Sequence, residues 1–177
     1  PLELCDALLG EDWQTNVREP LGTLCREEDG RLSFFHKSLS DWLVDPAASG
    51  RFHADPAKGQ EHMAQRLWKA YTDWQAAGAR AEDRTGWKPL GHAGEAYALR
   101  HLPAHLKATG QTNQRKDLLT EFAFAMRRCA NGAVDAFLED YRFERGHTMT
   151  DSLASWAECV LKNAHLLRRG VVRWPAH

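Results

Sequence analysis

From Gln60 to Leu167 apolar residues return every three or four positions in one segment after another, and glycine or Asn-Gly separates the segments. This rhythm constrains the fold more than any other feature, because it gives each segment one apolar stripe of helical period. "QEHMAQRLWKAYTDW" sets Met63, Leu67, Ala70, Tyr71 and Trp74 on one face. "EAYALRHLPAHLKATG" offers Leu99, Leu102 and Leu106, with Gly110 as its stop and Pro103 expected to kink or split it. "KDLLTEFAFAMRRC" is expected to bury Leu118, Leu119, Phe122 and Met126, and "AVDAFLEDY" Val134, Phe137, Leu138 and Tyr141. "TDSLASWAECVLKNAHLL" is expected to bury Leu153, Trp156, Ala157, Val160, Leu161, Ala164 and Leu167. The intervening "GARAEDRTGWKPLGHAG" reads as a polar loop with one aromatic, Trp87. About five helices with short connections make a helical bundle or a short solenoid.

The front of the chain has another pattern. "PLELCDALLG" is apolar at helical spacing and ends at Gly10; Thr15 or Asn16 caps a second helix through about Leu24. In "LCREEDGRLSFF" the pair Asp29-Gly30 tolerates positive φ and predicts a hairpin turn between two short strands. A third helix begins near Lys37, with Leu39, Trp42 and Leu43 as its buried face, and Asp45-Pro46 stops it. Helix, helix, hairpin, helix is the order of a winged helix lacking its first helix. The stretch "DPAASGRFHADPAKG" then reads as a linker. The expected fold is mainly α: a truncated winged helix over 1–46, a linker over 47–59 and an all-α domain over 60–177.

Composition narrows the classes of function. The chain is 43% hydrophobic with seven Trp and seven Phe, enough for a packed core. No run of about 18 apolar residues occurs and no charged-then-apolar leader opens the sequence, so a cytoplasmic protein without membrane attachment is expected. The start at Pro1, already in helical register, reads as a cut inside a longer protein. Cys5, Cys25, Cys129 and Cys159 are scattered without a CxxC pair and read as thiols in a reducing compartment.

Charge is unevenly distributed. Residues 1–57 carry 5 Lys/Arg against 11 Asp/Glu, whereas the remainder carries 18 against 13. An acidic winged helix is repelled by phosphate backbones, so DNA reading through "TNVREPLGTLC", with Arg18 beside Glu19, is disfavoured and no nucleic-acid partner is expected. Arg127 and Arg128, or Arg168, Arg169 and Arg173, are expected to be solvated helix ends favoured by the dipole.

Residues of catalytic type form no constellation. His101 and His105 stand at i and i+4, a zinc-capable spacing, but no Glu occupies the HExxH place and Pro103 sits between them, so no metal is expected. Cys159 and His165, six apart, fall on different sides of a helix and make no nucleophile and base. No GxxxxGK[ST] loop occurs. The expectation is a chain without catalytic residues of its own.

One titratable ring stands at a junction. In "SFFHKSLSDWL" a strand runs straight into a helix with His36 between them. This junction resembles the winged-helix segment of signal-transducing NTPases of the NB-ARC and NACHT type, whose junction commonly reads Met-His-Asp-Leu; His36 falls on the family histidine and Lys37 replaces the aspartate. Further along, "YALRHLPAHLKATGQTNQRKDLLTEFAFAMRRCANGAVDAFLEDY" is similar to the helical domain of the apoptotic protease-activating factor and its bacterial relatives, with Tyr97, Leu102, His105, Leu106, Leu118 and Leu119 on its Tyr, apolar, His-Leu and Leu-rich pattern. "SWAECVLKNAHLLRRG" resembles the last helix before the sensor repeats.

The resemblance implies a P-loop ATPase core upstream, absent from this chain, and a repeat domain downstream as partners. It implies ADP or ATP as cofactor of the full-length protein, none being bound by this chain alone, and it implies that His36 reaches the β-phosphate of ADP. The chain is then a regulatory arm that couples nucleotide state to the sensor repeats. An imidazole N–H at a helix start suits an anion. Two other functions remain open on the residues alone: a free-standing helical-repeat scaffold for a protein partner, and a winged-helix DNA-binding regulator.

Overall fold

A computed structural model of the chain describes residues 22–29, 31–77, 90–144 and 151–168, together with Cys5 and Glu19. The helix expected over 1–10, most of the second helix, the loop around Trp87, and Arg169 and Arg173 lie outside the described residues. The protein is mainly helical, with a two-stranded antiparallel hairpin preceding the helices.

Strands β1 (Cys25–Glu28) and β2 (Arg31–Phe34) pair Cys25 with Phe34 and Glu28 with Arg31. The two-residue connection turns on Asp29 at φ 50, the left-handed conformation that Asp accepts more readily than most residues. Gly22 to Leu24 form a turn before β1, so the preceding helix does not extend to Leu24. The amide of Phe35 donates to Leu24 O at 3.1 Å, carrying the pairing one step past the strand ends.

Helix α1 (Lys37–Val44) ends at Asp45, as Asp45-Pro46 predicts. The stretch expected to be a linker is instead built of short helical turns. Asp45 closes α1 and at once caps α2 (Pro46–Ser49), its Oδ1 accepting from the amides of Ala47 and Ala48 at 2.9 and 3.3 Å. A 3-10 turn, Gly50–Phe52, comes next, and Asp55-Pro56 repeats the device to open α3 (Pro56–Ala76) four residues before Gln60. Asp at the cap and Pro at the first helical position are start signals, because the carboxylate takes orphan amides and proline lacks the amide that would go unpaired. The segment is tied back to α1 by Trp42 Nε1 donating to Ala48 O at 3.1 Å and by Ala54 N donating to Leu43 O at 2.8 Å.

The helical part comprises α3, α4 (Gly91–Ala108), α5 (Thr112–Thr120), α6 (Phe122–Ala130), α7 (Val134–Glu144), α8 (Asp151–Lys162) and α9 (Ala164–Arg168). Helix α4 begins at Gly91, inside the expected loop, and it is not split at Pro103. Proline withdraws one donor from the ladder, but Leu99, Leu102 and Leu106 around it are all completely buried and hold the helix together. Gly110 (φ 69) ends α4 in a Schellman closure, Gln111 N donating to Leu106 O at 2.9 Å and Gly110 N to Lys107 O at 3.1 Å. Gly132 (φ 71) closes α6 in the same way through Ala133 N to Arg128 O at 2.9 Å.

Two segments expected to be single helices are broken. The chain is extended at Glu121 (ψ 118), whose carboxylate accepts from Ala123 N at 3.3 Å and starts α6 afresh. Thr120 meanwhile bonds back to Lys116 O at 3.0 Å. The break turns α6 out of register with α5, so Phe124 and Ala125 are buried where Phe122 and Met126 were expected. The final helix likewise breaks at Asn163, whose amide side chain donates to Cys159 O at 2.8 Å while its carbonyl accepts from Leu166 and Leu167.

The core has two lobes. Leu67, Tyr71 and Trp74 of α3, Leu99, Leu102 and Leu106 of α4, Leu118 and Phe124 form the first. Leu119, Phe137, Leu138, Tyr141, Leu153 and Val160 lead the second, against which Trp156 is half-buried. Adjacent Leu118 and Leu119 thus face different lobes, and α5 is the element that joins them. Tyr141 reinforces the joint: its hydroxyl donates to Leu119 O and accepts from Trp156 Nε1 at 2.9 Å. Burial raises the pKa of that hydroxyl, keeping it a donor.

Candidate functional site

His36 lies between β2 and α1 in extended conformation (φ −139, ψ 136), the geometry of an N-cap residue. Its Nδ1 accepts from Ser38 N at 3.2 Å and lies 2.7 Å from Ser38 Oγ. An Nδ1 that accepts from a backbone amide carries no proton, so in the neutral ring the proton sits on Nε2. The ring is exposed, and Nε2–H is a donor to solvent or to whatever docks at the junction. Lys37, the first residue of α1, pairs with Asp41 one turn on at 2.7 Å.

From the hairpin to the 3-10 turn several apolar residues are poorly covered. Phe35 is 64% exposed, and Leu24, Val44 and Phe52 are exposed as well. The expected buried face of α1 is only half realised: Leu39 and Leu43 are half-buried, whereas Trp42 is exposed beside the Phe52 ring at 6.2 Å. α1 contains no fully buried residue, in contrast to α3 with five.

The other sequence candidates resolve differently. His105 is buried, with Nδ1 at 2.6 Å from Gln60 Oε1 and Nε2 at 3.0 Å from the Tyr97 hydroxyl. Because the amide oxygen only accepts, Nδ1–H is the donor and Nε2 accepts from Tyr97, which leaves neither nitrogen for a metal. His101 is half-buried, its ring 4.6 Å from that of Tyr97. Among the described residues no group of three or more potential ligands could hold a metal ion. Cys159 and His165 are both exposed and stand on separate helices, α8 and α9.

This network carries a pH dependence. Burial first, and then the neighbouring His101, lowers the His105 pKa from its ordinary 6.5; burial first, and then Arg100 and Arg128, lowers that of His101. The folded state therefore binds fewer protons than the unfolded chain in mild acid, so the stability that these rings contribute is complete above 6.5 and is lost as pH falls below it. A second proton on His105 also turns Nε2 into a donor facing the Tyr97 hydroxyl. Urea melts at about pH 7.5 and about pH 5.5 should give a lower midpoint in acid, with a smaller drop in His105→Gln.

The arginines correct another expectation. Arg127 and Arg128 stand in the last turn of α6, but Arg128 is buried and Arg127 is half-buried. Arg127 Nε donates to the buried Glu95 at 2.5 Å, joining α6 to α4. Arg128 is completely buried, its guanidinium between the Phe124 and Phe137 rings at 5.5 and 5.2 Å and its Nη1 2.6 Å from Asp140. The new register of α6 after Glu121 points Arg128 inward. Arg168 is exposed and pairs with Asp135 at 3.1 Å.

A concavity not singled out by any sequence motif opens between α4, α5 and α7, with Arg100, Lys107 and Arg115 on its walls. The seven-residue step from Arg100 to Lys107, two turns along one helix face, was its available signal. No family model, no curated protein and no solved structure matches this chain. The described residues include no helix long and apolar enough to cross a membrane.

Proposed function

We propose that this chain is a non-catalytic regulatory segment of a cytoplasmic signal-transducing NTPase, coupling the nucleotide state of an upstream ATPase core to downstream sensor repeats. The hairpin and α1 are the wing and the last helix of a truncated winged helix, and α3 to α9 are the helical arm. The observation that carries this reading is His36: an exposed N-cap imidazole whose bonded Nδ1 leaves Nε2–H directed away from its own helix. Such a donor beside a helix N-terminus is chemically matched to the β-phosphate of ADP. The exposed Phe35 next to it in the chain, and the exposed Val44 at the other end of α1, belong to the surface that a neighbouring domain would cover.

Capping and nucleotide contact can be separated. Asn is as good a cap as any residue, so His36→Asn keeps the start of α1 while removing the ring, whereas His36→Ala loses both. In the full-length protein with its ATPase core, both variants should release ADP faster, by roughly 5- to 150-fold for a contact worth about 1–3 kcal/mol. Weaker ADP binding then shifts the population toward the open, signalling state. In the isolated chain only His36→Ala should melt earlier, by about 1 kcal/mol. Unchanged ADP release in His36→Asn would reduce His36 to its capping role.

A further inference from the structure

The cleft between α4, α5 and α7 has a volume of about 400 Å³, within the range of small-molecule sites. It exists because Ala104 and Ala136 stand on its walls where longer side chains would fill it. Its cations come from two helices: Arg100 and Lys107 stand two turns apart on α4, and Arg115 is buried on α5. The α7 wall supplies Glu139 and Asp140, but the Asp140 carboxylate is already neutralised by the buried Arg128 at 2.6 Å. On the lining itself three cationic side chains stand against two anionic ones, one of which, Asp140, is paired with Arg128 behind the wall, so the cleft holds an excess of positive charge. His101 is also on its wall; burial first, and then Arg100 and Arg128, lower its pKa against the opposing effect of Asp140. Arg100 is exposed, and its side chain takes part in no ion pair or hydrogen bond among the described residues.

We infer that this cleft is a binding site for a compact, multiply charged small anion, a phosphate compound or a polycarboxylate, held by Arg100, Lys107 and Arg115. Guanidinium groups offer paired N–H donors to either oxyanion, and the lysine adds a mobile point charge. Partial enclosure by three helices reduces the screening that weakens such contacts on an open surface. The two residues most accessible for charge reversal are on α4, away from His36, so the inference stands apart from the nucleotide reading.

Calorimetric titration of the chain at low ionic strength with inorganic pyrophosphate, and separately with citrate, tests the site. Saturable binding of either probe is expected, and the preferred probe distinguishes phosphate from carboxylate chemistry. Arg100→Glu and Lys107→Glu should each weaken it by about tenfold or more, with Lys162→Glu on α8 within about twofold of the parent. Amide chemical shifts of the unmodified chain provide a reading independent of any variant and should move around Arg100, Lys107 and Arg115. No saturation by about 10 mM, equal affinity after both reversals, or shifts centred away from α4, α5 and α7 would overturn the inference.

Discussion

Asp140→Asn should destabilise the protein by about 3–5 kcal/mol, among the largest single effects in the chain. The reason lies with its partner. Arg128 is completely buried, and Asp140 lies 2.6 Å from its Nη1. Two further groups of the same guanidinium, Nε and Nη2, make no hydrogen bond to the described residues. Removing the carboxylate charge leaves a buried cation with no counter-ion, and the Phe124 and Phe137 rings beside it compensate only in part. The opposite replacement should be mild. Arg128→Met removes the charge and fills much of the same space, so it should cost far less and should not add to Asp140→Asn, since the two act on one interaction. Urea unfolding of both single variants and the double variant measures this: Asp140→Asn alone should be severe, and the double variant close to Arg128→Met. A mild Asp140→Asn would mean that water reaches the guanidinium.

The second large effect separates neighbouring aromatic residues. Phe124→Ala should cost about 3–5 kcal/mol, because the ring is completely buried, meets Tyr71 edge-on at 5.8 Å and lies under the Arg128 guanidinium. Phe122, two positions earlier, is 41% exposed, and Phe122→Ala should cost about 1 kcal/mol or less. A continuous helix through Glu121 with the expected apolar stripe demands the reverse order, since Phe122 would then share the face of Leu118 and Leu119. Thermal or urea melts of the two variants under one set of conditions therefore test the break itself. If Phe122→Ala proves the more damaging, α5 and α6 are one helix and the inward position of Arg128 falls with them.

Both effects stem from a feature that local pattern does not encode. Periodicity identified the stripes of α3, α4 and α7 almost residue by residue: Leu67, Ala70, Tyr71, Trp74, Leu99, Leu102, Leu106, Phe137, Leu138 and Tyr141 are all buried as expected. Turn chemistry placed the hairpin at Asp29 and the stop at Gly110, where backbone dihedrals dictate residue type. The same local chemistry held the helix starts at Asp45-Pro46 and Asp55-Pro56, which composition alone presented as a linker. His36 was visible as a junction residue; its cap to Ser38, which leaves the proton on Nε2, was not, because that depends on where the next turn places an amide.

The amino-acid sequence by itself determined the helical class, the hairpin, most of the core and the position of the junction histidine, since these derive from side-chain period and local dihedral preference. Only the tertiary structure decided that the helix breaks at Glu121, that Arg128 turns inward to Asp140, and that Arg100, Lys107 and Arg115 share one cleft. Each of those depends on how helices distant in sequence meet: burial of Phe124 against Tyr71 and of Arg128 between two rings sets the phase of α6, and the short side chains of Ala104 and Ala136 leave space only once α4 and α7 are packed together.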